Sequence, residues 1–292
     1  MTSFSVPKPF QKFNSAAAEK TIVEFIQNTV KDSGTNGVVL GLSGGIDSAL
    51  VAALSVKALG AENVYPIFFY ESADDPSQFD SADFRDASQI CNQFNLTLQK
   101  VNLSSLFSEA FSAAPSATPS ATHSSLNPVT KNSISAGNLK SRLRMSLLYY
   151  YANNNTLLVI GTKNKTERLT GYYTKYGDGA VDLDPIADLY KTEVRLLSQY
   201  LGLPESILSK APSAGFWDGQ SDEDDFGVRY DQLDSILYVL EKNGQKLPKS
   251  GSDELNEILK MTNLSEKQYE SILSRMDSAK HKQKLPDFPK IS

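Results

Sequence analysis

The chain has 292 residues, 40% of them hydrophobic, and a formal net charge of −5, enough for a large buried core and typical of a soluble globular protein. The acidic balance argues against nucleic-acid binding, and no apolar run is long enough to cross a membrane, so neither partner is expected. The single Cys91 excludes an internal disulfide, and with only His123 and His281 a histidine-based metal site is not expected. Met1–Lys8 holds no sustained apolar stretch, so no secretory leader is read there and a reducing, cytoplasmic setting is expected.

An amphipathic helix is predicted after Asn14-Ser15, with Ile22, Val23, Phe25, Ile26 and Val30 on its apolar face. The β-branched run Gly37-Val38-Val39-Leu40 reads as a first strand. It breaks on Gly41-Leu42-Ser43-Gly44-Gly45-Ile46-Asp47-Ser48 and enters a helix at Ala49–Leu54. Val64–Tyr70 predicts a second strand, Phe79–Phe94 a helix holding Cys91 as buried filler, and Leu96–Val101 a third strand. Residues 113–135 are rich in Ser, Ala, Thr and Pro and read as an exposed insertion. A helix over Ala136–Asn153 leads to a fourth strand, Thr156–Ile160, and the stretch 211–225, acidic with Phe216 and Trp217, reads as a mobile active-site loop. Helices over Asp231–Asn243, Asp253–Met261 and Ser265–Ala279 finish the chain. Alternating strands and helices predict an α/β fold, a doubly wound, mostly parallel sheet flanked by helices with C-terminal helical segments, as one domain over 1–292.

In such sheets ligands sit beyond the carboxyl ends of the strands, here near Ser43, Tyr70, Val101 and Gly161. A strand that turns on two glycines into a helix leaves free backbone N–H groups at the positive end of the helix dipole, a cradle for phosphate. The spacing is not that of a Gly-Lys-Ser/Thr loop, since no lysine follows the glycines. Asp47 would repel phosphate without a cation such as Mg²⁺ between them. Glu167 offers a second carboxylate to that cation, Thr162 a hydroxyl just past the fourth strand, and Lys191 a positive charge for a leaving pyrophosphate. Between Gly137 and Lys175 stand seven basic side chains against Glu167 alone, as expected of a site for polyanionic small molecules.

The loop Gly41–Ser48 resembles the pyrophosphate loop of ATP pyrophosphatases. Together with Asn138-Leu-Lys-Ser-Arg142-Leu-Arg144, the segment Gly161–Lys191 with its Gly171–Gly179 signature, Ala211–Asp225 and His281-Lys282, it is similar to the ammonia-dependent NAD synthetases. That resemblance implies adenylation of the nicotinate carboxylate of deamido-NAD by ATP, release of pyrophosphate, then displacement of AMP by ammonia to give NAD. It places Gly41, Leu42, Ser43, Gly44, Gly45, Ile46, Asp47, Ser48, Thr162, Lys191 and Ser213 on ATP. Asn138, Arg142, Lys175, Asp182, His281 and Lys282 fall on deamido-NAD, and Asp47 and Glu167 on Mg²⁺, with Asp47, Glu167 and Lys191 as the catalytic set. It also implies a homodimer and leaves Lys284 without a role. Cys91 lacks the setting of an amidase nucleophile, so free ammonia is the expected nitrogen source. The rival readings are another ATP pyrophosphatase, such as a tRNA thiolase or a different amide-forming ligase, and a nucleotide-binding module without catalysis; the lack of paired cysteines and of a basic RNA surface disfavours a thiolase, and the joint presence of Asp47, Glu167 and Lys191 disfavours the module.

Overall fold

Helix α1 (Ser15–Ser33) starts where Asn14 accepts a hydrogen bond from the Ala17 amide and stops at Gly34, whose φ of +67° continues no helix. In this computed structural model, residues 6–72, 80–113, 133–213, 221–244, 248 and 252–291 are described. Strand β1 (Val38–Gly41) follows, then α2 (Ile46–Leu59), β2 (Val64–Tyr70), α3 (Ala82–Phe94) and β3 (Gln99–Asn102). Next come α4 (Ser104–Ala113), α5 (Ile134–Asn155), β4 (Leu158–Val159), α6 (Lys165–Thr170) and α7 (Lys191–Tyr200). The chain ends in α8 (Glu205–Leu208), α9 (Asp222–Phe226), α10 (Tyr230–Lys242), α11 (Asp253–Thr262) and α12 (Glu266–Ala279).

The four strands form one parallel sheet in the order β3-β2-β1-β4. Val38 pairs with Val64 on one side and Leu158 on the other, and Ile67 pairs with Gln99. Helix α2 is apolar all round, and Ala49 to Leu54 are fully buried beneath the sheet with α1 and α7. Helix α5 covers the opposite face, where Ala152 joins Val39, Ile67 and Val159. A separate apolar cluster unites α10, α11 and α12 with Phe10 and Tyr190. The parallel doubly wound architecture expected from the sequence is the one observed.

The differences have local causes. Asn95 closes α3 in the left-handed conformation and the Leu96 amide still bonds back to Cys91, so β3 begins only at Gln99. Thr156 closes α5 in the same way, and β4 shortens to two residues. The ends of the stretch read as an insertion over 113–135 are helical: Ala113 belongs to α4, and the Ser133 hydroxyl caps α5 by accepting from the Ala136 amide at 3.2 Å. Residues 114–132 lie outside the described part. The segment 211–225 is likewise not all loop, since its last residues open α9; Phe216 and Trp217 fall outside the described residues.

Cys91 is 3% exposed, and burial pushes its thiol up to about 12, so the reactive thiolate is suppressed at neutral pH. The folded protein is therefore expected to resist iodoacetamide at mildly alkaline pH and to take a single label once unfolded. Intact-mass measurement checks this, and rapid labelling of the native chain would show an open thiol.

Candidate active site

The chain lays down β1, β2 and β3 in one direction, then returns to place β4 on the other side of β1. The crevice beyond the carboxyl ends of β1 and β4 is thus the topological switch point, where open α/β sheets hold ligands. Two segments meet there. After β1 the loop turns at Gly44, with φ +76°, where an added Cβ would sit 2.3 Å from the Asp83 carbonyl oxygen, so only glycine fits. Ser48 Oγ donates to the Gly45 carbonyl at 3.0 Å and accepts from the Ser43 amide at 3.2 Å, which fixes the turn from within. Gly45 caps α2 without a side-chain bond, leaving the first-turn amides for an anion.

After β4, Asn164 caps α6 through a reciprocal capping box with Glu167: the Glu167 amide donates to Asn164 Oδ1 at 2.9 Å, and the Asn164 amide donates to Glu167 Oε2 at 3.0 Å. Asn164 also donates from Nδ2 to Asp47 Oδ1 at 2.9 Å, tying the two segments across the crevice. Asp47 Oδ2 is paired with the Lys191 ammonium at the start of α7. Burial, then the Asp47 carboxylate, push Glu167 well above the usual carboxylate range, while Lys191 pulls it down. Burial pulls the Lys191 ammonium down, but Asp47 and Glu167 outweigh it, so Lys191 stays charged. Three residues distant in sequence therefore stand in one another's field, a clustering of perturbed groups that marks a candidate functional site.

A second group forms around the loop 171–179. Thr174 Oγ1 donates to Asn138 Oδ1 at 2.7 Å, and Arg142 donates from Nε and Nη2 to the Lys175 carbonyl at 3.3 and 3.2 Å. Lys175 Nζ donates to the His281 carbonyl at 2.8 Å. Lys282 Nζ donates to the carbonyls of Gly171 and Tyr173 at 2.6 and 2.7 Å. The fold thus gathers Asn138, Arg142, Lys175, His281 and Lys282 from α5, the loop and the tail. A cleft of about 470 Å³, lined in part by Gly171, Arg275 and Lys282, opens beside them. Asp182 is placed differently. Its Oδ2 accepts from the Val159 amide at 2.7 Å and its Oδ1 from the Tyr149 hydroxyl at 3.0 Å, so it anchors the end of β4. Thr162 is half-buried beyond β4, and Ser213 is exposed at the edge of the described segment.

A family model described as NAD synthase matches residues 18–286. The chain belongs to that family. It is 46% identical over 230 residues, 78% of this chain and 81% of the relative, to an NH3-dependent NAD(+) synthetase of Methanococcoides burtonii. A solved NMN synthetase from Francisella tularensis superposes with a TM-score of 0.74 at 32% identity, covering 96% of this chain and 100% of that one. An NH3-dependent NAD synthetase from Campylobacter jejuni, in complex with nitrate, gives 0.73 at 31% identity over 95% and 100%. The ammonia-dependent resemblance drawn from the motifs is thus the one the comparisons return.

Three further residues of this crevice in the NAD synthase chain lie outside the sequence reading. Asn164 was legible, because Asn-x-x-Glu at 164–167 is a capping-box pattern. Asp222 was not. It is 3% exposed and accepts from the Tyr172 and Tyr230 hydroxyls at 3.0 and 2.9 Å. Burial raises its pKa while Lys191 lowers it, which places it as a third acid in the field of the single lysine. Lys210 Nζ donates to the Gly44 carbonyl at 3.2 Å and to Asp83 and Asp86 at 2.5 and 2.7 Å, fastening the phosphate-type turn to α3.

Proposed function

We propose that this chain uses ATP to adenylate the nicotinate carboxylate of deamido-NAD and then transfers the acyl group to ammonia. The net conversion, ATP-dependent amination of deamido-NAD to NAD by a ligase, is that of the NAD synthase family. One observation carries the placement of the chemistry: Asn164 and Lys191 join Asp47, Glu167 and the Gly41–Ser48 turn at the β1/β4 crevice. A carboxylate oxygen attacks the α-phosphorus, the bond to the β-phosphate oxygen breaks, and pyrophosphate leaves. Ammonia then attacks the acyl carbon, AMP departs with the former carboxylate oxygen, and the nitrogen sheds one proton to solvent. Both steps develop charge on phosphate oxygens, so positioned amides and Lys191 serve them better than acid–base residues would.

The donor set suits Mg²⁺. Lys191 is already paired with Asp47, so a triphosphate placed here brings charge that the lysine alone does not balance, and Mg²⁺ is held by one or two carboxylates together with phosphate oxygens. Among the described residues no three acid, histidine or cysteine groups form a metal cluster by themselves. Asp47 and Glu167 would hold the ion. When bound it neutralises the phosphate charge that Lys191 alone cannot balance. The loop 171–179 with Asn138, Arg142, Lys175, His281 and Lys282 would receive the dinucleotide.

Incubation with ATP, Mg²⁺, ammonium and deamido-NAD is expected to yield NAD, AMP and pyrophosphate. ADP among the products would refute the adenylation. Because one structural relative is an NMN synthetase, nicotinate mononucleotide is the competing substrate; a higher kcat/KM for the mononucleotide than for deamido-NAD would reverse the substrate assignment. Glutamine is expected not to replace ammonia, and efficient glutamine turnover by the pure chain would overturn that. Exposed Ile134 and Tyr150 on α5 support a homodimer, which sedimentation analysis checks. The single cysteine supports a reducing, cytoplasmic setting. No helix of the described residues is long and apolar enough to cross a membrane.

A further inference from the structure

Arg144 is unsatisfied as it stands. Its Nε is shut off from solvent and has no hydrogen-bond partner. Burial lowers its pKa, opposed by the charges of Glu71 and then Asp178, yet a guanidinium stays protonated throughout the usual pH range. Both acids have other partners. Glu71 is taken by Lys140 at 2.9 Å, and Asp178 accepts from Ser141 Oγ at 2.7 Å and from the Thr174 amide at 2.9 Å. A guanidinium whose Nε is buried without a bonded anion is costly unless an anion arrives with a ligand.

Its place in the fold says which anion. Ser141, Arg144 and Leu148 lie on one face of α5 at helical spacing. Ser141 bonds the dinucleotide-side loop through Asp178, and Leu148 comes within 4.0 Å of the Cβ position of Gly41 at the end of β1. Arg144 sits between these two contacts, on the line from the loop 171–179 to the phosphate-type turn. In the reaction proposed above, the group that must lie on that line is the carboxylate to be adenylated. The geometry points to Arg144 as the residue that holds the acid group of the substrate against the nucleotide and distinguishes acid from amide.

Such a residue binds the substrate through a planar fork matched to a carboxylate. It loses that grip when the charge is consumed and the amide forms, which favours release of product. The contact rests on the reading that deamido-NAD is the substrate, and it concerns only the acid end of that molecule.

The test compares binding of deamido-NAD, NAD and ATP to the full chain and to Arg144→Gln and Arg144→Lys, by calorimetry, with circular dichroism to verify folding. Deamido-NAD and NAD differ only at the acid or amide. Arg144→Gln is expected to weaken deamido-NAD by about 10- to 100-fold, the range of one charge-assisted hydrogen bond or pair, with NAD and ATP little changed. Arg144→Lys keeps the charge but not the fork and is expected to fall between; it also supplies the measurement if the glutamine variant does not fold. Equal losses for deamido-NAD and NAD, a loss confined to ATP, or no loss would each overturn the assignment. Failure of the wild-type chain to convert deamido-NAD would instead strike the functional reading itself, so the two failures are distinct.

Discussion

Asp47→Asn is expected to lower NAD formation by about two to three orders of magnitude, the scale found when one preorganised charge-stabilising group is removed, while the protein stays folded. Asp47 binds Asn164 through Oδ1 and Lys191 through Oδ2. An asparagine keeps one acceptor and turns an NH2 toward a donor, so one of the two contacts is lost. Against that loss stands relief of repulsion, because Asp47 helps raise the pKa of Glu167. The two effects oppose each other, and the net change in stability is expected to stay within about 1 kcal/mol. Catalysis has no such compensation: the carboxylate that suits Mg²⁺ is gone while the phosphate charge to be neutralised is the same. The Glu167 pKa is expected to fall toward its ordinary value in the variant. Steady-state rates and ATP–pyrophosphate exchange in the presence of deamido-NAD read the effect. Wild-type turnover at ordinary Mg²⁺ would remove Asp47 from the reaction.

What the sequence disclosed and what it withheld follow from how the chain builds the site. Gly41–Ser48 is legible because the whole cradle is contiguous: strand end, glycine turn and helix start occur in one string. Glu167 and Lys191 are legible by motif, but not why they meet. Their junction depends on Asn164 reaching Asp47 across 117 positions. Asp222 depends on Tyr172 and Tyr230, neighbours only in the folded chain. Asp182 carries over from the resemblance as a substrate contact, yet its carboxylate serves the Val159 amide and Tyr149, a use that spacing does not reveal. Helix α6 was missed since six residues give too little periodicity to register. The sheet was recovered well, because buried parallel strands appear as short apolar runs whatever lies around them.

Lys191→Met is expected to be the more damaging change, abolishing measurable turnover and destabilising the fold. Lys191 is 2% exposed, and its ammonium faces Asp47, Glu167 and Asp222. It opens α7, where the helix dipole disfavours a cation, so the surrounding acids must hold its charge there. Removing it leaves crowded carboxylates with no countercharge, which costs on the order of 3–5 kcal/mol when one partner of a buried pair is deleted. The acids answer by holding protons. Their folded-state pKa values, already raised for Glu167 and Asp222, rise further, so the variant keeps its stability below the ordinary carboxylate range and loses it as pH climbs. The melting temperature of Lys191→Met is therefore expected to fall with rising pH more steeply than that of the wild type. Adding Asp47→Asn to Lys191→Met removes one of the stranded charges and is expected to recover part of the stability, with no recovery of activity. A double variant no more stable than the single one at neutral pH would show that the acids are not coupled through Lys191. Wild-type ATP–pyrophosphate exchange in Lys191→Met would show that the ammonium does not serve the leaving pyrophosphate.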